Sequence, residues 1–137
     1  YKCNLLTDTE VITYMMDYLL RKNKLTLKEA AEVVAAPFWE TIKTKEEKER
    51  ERLSYLRTIF SSLLITGPFS IILGFNGGLM ALNDRLKLRS MVVAEKGESV
   101  YMASEESAIK IIQKQVDKIY SPAGGEPVIV TLNKGVE

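Results

Sequence analysis

The sequence predicts an α+β fold with a mainly antiparallel sheet. Three observations carry that prediction. Apolar residues recur at helical spacing through the first half, the period turns strand-like after Gly67-Pro68, and short glycine turns join the strand segments. With 137 residues, the stretch 1–137 suits one domain able to bury a core.

Thr7-x-x-Glu10 reads as a capping box, a threonine and a glutamate that satisfy each other's orphan backbone N–H groups. Val11, Met15, Tyr18 and Leu19 follow at helical spacing, with Ile12 and Met16 widening the apolar face. Arg21, Lys22 and Lys24 suit the negative C-terminal end of that helix. Thr26-x-x-Glu29 repeats the box and opens a second helix, which Pro37 stops. Thr44 to Arg52 is a charge run with a third box, Thr44-x-x-Glu47, and reads as a solvated helix with Glu/Lys pairs. From Leu53 the same helix turns apolar at Leu56, Ile59, Phe60 and Leu63.

Beyond Gly67-Pro68, "FSIILGF" predicts a buried strand, and Asn76-Gly77-Gly78 predicts a hairpin turn, because Asn and Gly tolerate positive φ. "LMALND" returns, and "RSMVVAEKG" and "ESVYMAS" form a second hairpin around Lys96-Gly97. "EESAIKIIQKQV" predicts an amphipathic helix, "DKIYS" a short edge strand, and "PVIVTL", after Gly124-Gly125, a final strand.

Composition narrows the function. Nineteen basic and 18 acidic side chains nearly cancel, with no basic stripe to suit nucleic acid. The sequence holds no His, which removes the usual general base and most zinc sites, and its one Cys excludes an intrachain disulfide. The longest apolar run, Leu63 to Phe75, is interrupted by polar residues, glycines and Pro68, and falls short of the roughly twenty apolar residues of a membrane span. No secretory signal pattern is present, so a cytoplasmic protein is expected.

Five groups of residues invite a chemical reading. Cys3 is the one strong nucleophile, but no His stands to activate it, and it reads as a small buried residue of a strand. Asn76-Gly77 resembles an oxyanion-binding pair, yet a hairpin turn explains it. "DRLKLR", Asp84 to Arg89, offers arginine forks to a phosphate or carboxylate, or forms a solvated, locally ion-paired turn. Ser104, Glu105 and Glu106 read as a helix start capped by Ser104. Asp8 is freer than these: Thr7 supplies the cap, which leaves the Asp8 carboxylate at a strand-to-helix junction on the rim of the sheet, where it reads as a helix-start acid before a site residue.

"YKCNLLTDTEVI" resembles the segment before a helix in class-II glutamine amidotransferases, the N-terminal-nucleophile family, where a T-D-T-E-V-I-like motif follows an extended strand. "GPFSIILGFNGGLMALNDRLKLRSMVVAEKGESVYMASEESAI" is similar to the strand–turn–strand, D-R-x-x-x-R and V-A-S-E pattern of that family, and "PAGGEPVIV" to its closing strand. The likeness is nearest to the amidotransferase domain of the glutamate synthase large subunit, and covers nearly the whole chain. It implies hydrolysis of glutamine to glutamate and ammonia, with ammonia passed to a synthase partner. It also implies a four-layer αββα sandwich, mainly antiparallel, and a contact between Asp8 and the α-amino group of glutamine.

The family's other site elements precede the segment that "YKCN" matches. The nucleophile is an N-terminal Cys whose own amine is the base, with a carboxylate-binding Arg and an Asn-Gly oxyanion pair. Cys3 matches a strand position, and Asn76-Gly77 lies too late. The chain also begins without Met, apparently inside an element. The expectation is therefore the C-terminal part of such a domain, inactive alone, completed by an N-terminal half and a glutamate synthase core. No cofactor is expected in this chain; flavin and iron–sulfur groups would belong to the synthase partner. A non-catalytic amidotransferase-like subunit, for assembly or for sensing glutamine or glutamate, is the alternative.

Overall fold

Thr7 opens the first helix as the spacing requires: its hydroxyl accepts the Glu10 N–H at 3.2 Å. The computed structural model describes residues 2–5, 7–132 and, for the backbone, 135–136. Helix α1 (Asp8–Asp17) runs into a wider turn over Tyr18–Lys22 and buries Met16 and Leu19. Thr26 then starts α2 (Leu27–Val34) with a complete capping box: Glu29 N donates to the Thr26 hydroxyl, and Thr26 N donates to the Glu29 carboxylate. Its face of Ala30, Ala31, Val33 and Val34 is fully buried.

The third capping box does not form. Thr44 turns back instead, donating its N–H and its hydroxyl to Thr41 O, and so closes a one-turn helix α3 (Trp39–Lys43) that buries Ile42. Helix α4 (Glu47–Ile59) begins afresh at Glu46, with no side-chain cap. Its apolar end packs as expected at Leu53 and Leu56, while Ile59 stays exposed.

Among the described residues, seven strands form two small sheets. The first has the order β1-β2-β6-β7, from β1 (Ser70–Phe75), β2 (Gly78–Asn83), β6 (Val128–Thr131) and β7 (Gly135–Val136). The second has the order β4-β3-β5, from β3 (Val92–Lys96), β4 (Ser99–Ala103) and β5 (Lys118–Tyr120). All pairings are antiparallel. Both predicted hairpins are present, with Gly77 at φ +87° and Gly97 at φ +55° in their turns. Two strand expectations need correction. β1 is not a buried strand but a sheet edge with alternating exposure, since no described strand pairs its outer side. β6 is not the last strand, because β7 pairs with it through Val130↔Val136. Helix α5 (Glu106–Ile112) is shorter than its pattern: only Ile109 is buried, Ile111 and Ile112 are exposed, and the chain is extended at Gln113.

β2 is the centre of the fold, and its alternation divides the core. Met80 and Leu82 join Met16, Leu19, Val34 and Leu56 in a helix-facing cluster. Ala81 points the other way, into a smaller cluster with Met91, Val93 and Val128. Helices α1, α2 and α4 therefore cover one face of the first sheet and the second sheet packs on the other, with α5 against β4. The fold is α+β and antiparallel, in a helix–sheet–sheet arrangement.

Candidate functional site

Asp8 is the first residue of α1 and is exposed. Its Oδ1 accepts from the Thr9 N–H at 2.8 Å and from the Thr9 hydroxyl at 3.4 Å. Oδ2 has no hydrogen-bond partner among the described residues, so one oxygen remains for a cation. Thr7 thus caps this helix start as expected, while the expected reciprocal bond from Glu10 does not form and Asp8 keeps half its carboxylate open.

The segment before α1 is held by Glu10. Its carboxylate accepts from Asn4 N (2.8 Å) and Leu5 N (2.7 Å), and also from the Tyr14 hydroxyl (3.1 Å). In the predicted capping box Glu10 would have served Thr7 N; instead it reaches further back. Tyr14 also donates toward Lys2 O at 3.2 Å. The hydrogen bond to Glu10, followed by burial and the Glu10 and Cys3 charges, pushes the Tyr14 hydroxyl above its ordinary pKa. Residues 2–5 are thus strapped across the start of the helix.

That strap overturns the expectation for Cys3. Residues 2–5 form no strand, and Cys3 is an exposed free thiol. The part of the strand expectation that falls on Tyr1 and Leu6 lies outside the described residues. Cys3 stands on the rim of a cleft of about 630 Å³. The cleft is walled by Val11, Tyr14, Met15 and Tyr18 of the first helix, and by Tyr55, Ile59 and Phe60 from the end of α4. At 100° per residue, positions 8, 11, 14, 15 and 18 share one side of a helix. Asp8 therefore heads the face whose lower turns wall the cleft. The cleft offers aromatic faces, a thiol and hydroxyls, and Asp8 offers a carboxylate oxygen at its N-terminal end. With no His in the chain, no imidazole base is available here.

The other candidates resolve structurally. Asn76-Gly77 is the β1–β2 turn, whose Gly77 carbonyl accepts from Leu132 N at 2.8 Å. Ser104 does not cap α5; Glu105 takes the cap position without a side-chain bond, while Ser104 O accepts from the Ser90 hydroxyl. In "DRLKLR", Asp84 is neither solvated nor ion-paired. It is 2% exposed, and its carboxylate accepts from Leu86 N (3.1 Å), Leu88 N (3.0 Å) and Arg89 N (3.0 Å). Asn83 beside it is fully buried and donates to Arg89 O. Sequence spacing pointed to this loop but missed Arg57, which lies near Arg85 only through the fold.

Among the described residues no group of three or more His, Cys, Asp or Glu side chains is placed to hold a metal ion. No described helix is long and apolar enough to cross a membrane. No family model matches the chain. It is 40% identical over 129 residues to an uncharacterized protein of Archaeoglobus fulgidus, a match covering 94% of this chain and 34% of that protein. The chain thus spans about a third of the length of the relative it matches.

Proposed function

We propose that this chain is the C-terminal part of a class-II glutaminase domain of the glutamate synthase type, in which Asp8 binds the α-ammonium group of glutamine. The observation that carries the reading is Asp8 itself. It sits second in the T-D-T-E-V-I motif, exposed at the head of α1, with Oδ2 uncommitted among the described residues and on the same helix side as Val11 and Tyr14, which line the cleft while Asp8 itself does not. An exposed carboxylate with one oxygen open suits an amino acid's ammonium group.

The architecture supports the same reading. Helices on one face of two packed antiparallel sheets are compatible with part of a four-layer αββα sandwich, which further strands and a second helical layer would complete. β1 presents an unpaired edge with Ile72 58% exposed, a place for an added strand. The greater length of the archaeal relative leaves room for such parts elsewhere in a longer protein. In this proposal the nucleophile and its base come from outside the chain. The ammonia passes to a glutamate synthase core that carries any flavin or iron–sulfur group, and the whole is cytoplasmic.

Calorimetry with glutamine and with glutamate tests the role of Asp8. The proposal expects wild-type binding that Asp8→Ala weakens roughly tenfold to a hundredfold, the loss of one hydrogen bond between charged groups. Unchanged binding in the variant, or none in the wild type, would sink it. The absence of His and the non-terminal position of Cys3 favour a second reading, a non-catalytic subunit that senses the same ligand. Glutamine binding without ammonia release by the complete protein would select that reading.

A further inference from the structure

Arg57 of α4 and Arg85 of the β2–β3 connection converge on one short segment, Ala36–Trp39. Arg85 lies over the Phe38 ring, 4.6 Å from its centroid, and donates from Nη1 to Ala36 O at 3.3 Å. Arg57 lies over the Trp39 ring at 4.5 Å and donates to Pro37 O. Successive carbonyls and successive rings therefore hold two guanidinium groups on the same stretch of backbone.

Neither group forms a salt bridge among the described residues. Arg52, one turn earlier on α4, takes a two-pronged ion pair with Glu32, but Arg57 and Arg85 meet no carboxylate among the described residues. Both are half-buried. Burial first, then the Arg85 charge, holds the Arg57 guanidinium below its ordinary pKa, while Glu40 acts weakly in the other direction. Arg85 Nε is enclosed and has no acceptor. Two like charges that repel, with donors left over, form an arrangement that an arriving anion completes. Lys87 and Arg89, exposed on the same connection, add to the positive field.

We propose that Arg57 and Arg85 form a binding site for a doubly charged phosphoryl group, seated beside the Phe38 and Trp39 rings. Charge favours phosphate over carboxylate: two guanidinium groups match a dianion, whereas a monoanion leaves one unneutralised. The rings are 38% and 41% exposed, so each keeps some apolar face for the organic part of a phosphomonoester. The site shares no residue with Asp8 and its cleft, so it stands or falls separately from the glutaminase reading.

Trp39 is the one tryptophan of the chain and reports on this site directly. Its emission is followed while inorganic phosphate, and separately phenyl phosphate, replaces chloride at constant ionic strength. The proposal expects a saturable change, weakened roughly tenfold or more by Arg57→Gln and by Arg85→Gln. Tighter binding of phenyl phosphate assigns the site to phosphomonoesters, and equal binding assigns it to inorganic phosphate. Should either Gln variant fail to fold, the wild-type titration still decides. No saturable change up to about 10 mM, well past the millimolar end of specific binding, overturns the site. The same change with acetate, or undiminished affinity in folded Gln variants, overturns it as well.

Discussion

Replacing Asp84 should unlock the connection between β2 and β3. Its carboxylate takes three backbone N–H groups from Leu86, Leu88 and Arg89. Its own N–H donates to Phe69 O, and its carbonyl accepts from Lys87 N, both at 2.9 Å. Lys87 is held at φ +55°, a conformation unfavourable for a lysine unless its surroundings impose it. Bonds to a charged acceptor are worth about 1.5–3 kcal/mol each. Leu86, Leu88 and Arg89 are exposed, however, so their released N–H groups can reach water. Counting about 1 kcal/mol per bond, Asp84→Ala should cost about 3 kcal/mol. Asp84→Asn keeps one acceptor oxygen and the shape, and should cost about 1.5–2.5 kcal/mol. Against a total stability of about 5–15 kcal/mol, either loss is readily measured.

The same prediction has a pH arm. Burial, the largest influence, pushes the Asp84 carboxyl up, but backbone donors from Leu88, Arg89, Phe69 and Leu86 outweigh it and hold the carboxyl below its ordinary value. A depressed native pKa stabilises the fold above the unfolded-state value of about 3.9, and that contribution disappears as pH falls through the native value. Urea unfolding of wild type and Asp84→Asn should therefore show a gap at pH 7 that narrows below about pH 3.9. A gap under about 0.5 kcal/mol at pH 7, within the scatter of ordinary surface changes, would refute the reasoning. So would a gap that stays constant into acid.

Four other substitutions probe the fold. Thr26→Ala removes the hydroxyl that accepts from Glu29 N and donates to the Glu29 carboxylate, and should lower stability by about 1 kcal/mol in denaturant titration. Gly124→Ala would set a Cβ 2.5 Å from Arg85 O, and Gly125, at φ +74°, approaches Ala35 O; both alanine variants should lose at least about 1 kcal/mol, read as a fall in melting temperature. Glu10→Ala should free residues 2–5, seen as faster amide exchange at Asn4 and Leu5, with exchange in α2 unchanged.

The parts of the fold legible in the sequence are those set by near neighbours. Thr26 and Glu29 lie three apart and found each other, and Asn76-Gly77 and Lys96-Gly97 turned where φ had to be positive. Thr44 matched the capping pattern equally well, but burial of Ile42 created α3 and drew Thr44 to its end. Local spacing carries no information about that competition. Cys3 was misplaced for a similar reason: the strap across α1 depends on Glu10 reaching back beyond its own cap. Asp8 was legible as an uncommitted acid because Thr7 accounts for the cap. Tyr55 and Ile59, which line the cleft opposite Val11 and Tyr14, were not, since only the fold brings α4 there. The pairing of Arg57 with Arg85 likewise joins residues far apart in sequence, and only the Arg85 half was visible as a motif.

The central claim is that Asp8 recognises an α-ammonium group. The most direct measurement compares the binding of glutamine with that of its analogue lacking the α-amine, in wild type and in Asp8→Asn. The account predicts that wild type prefers glutamine by roughly tenfold or more, and that Asp8→Asn loses the preference while its affinity for the analogue is unchanged. Equal binding of both ligands by wild type, or a preference that survives in Asp8→Asn, would contradict it.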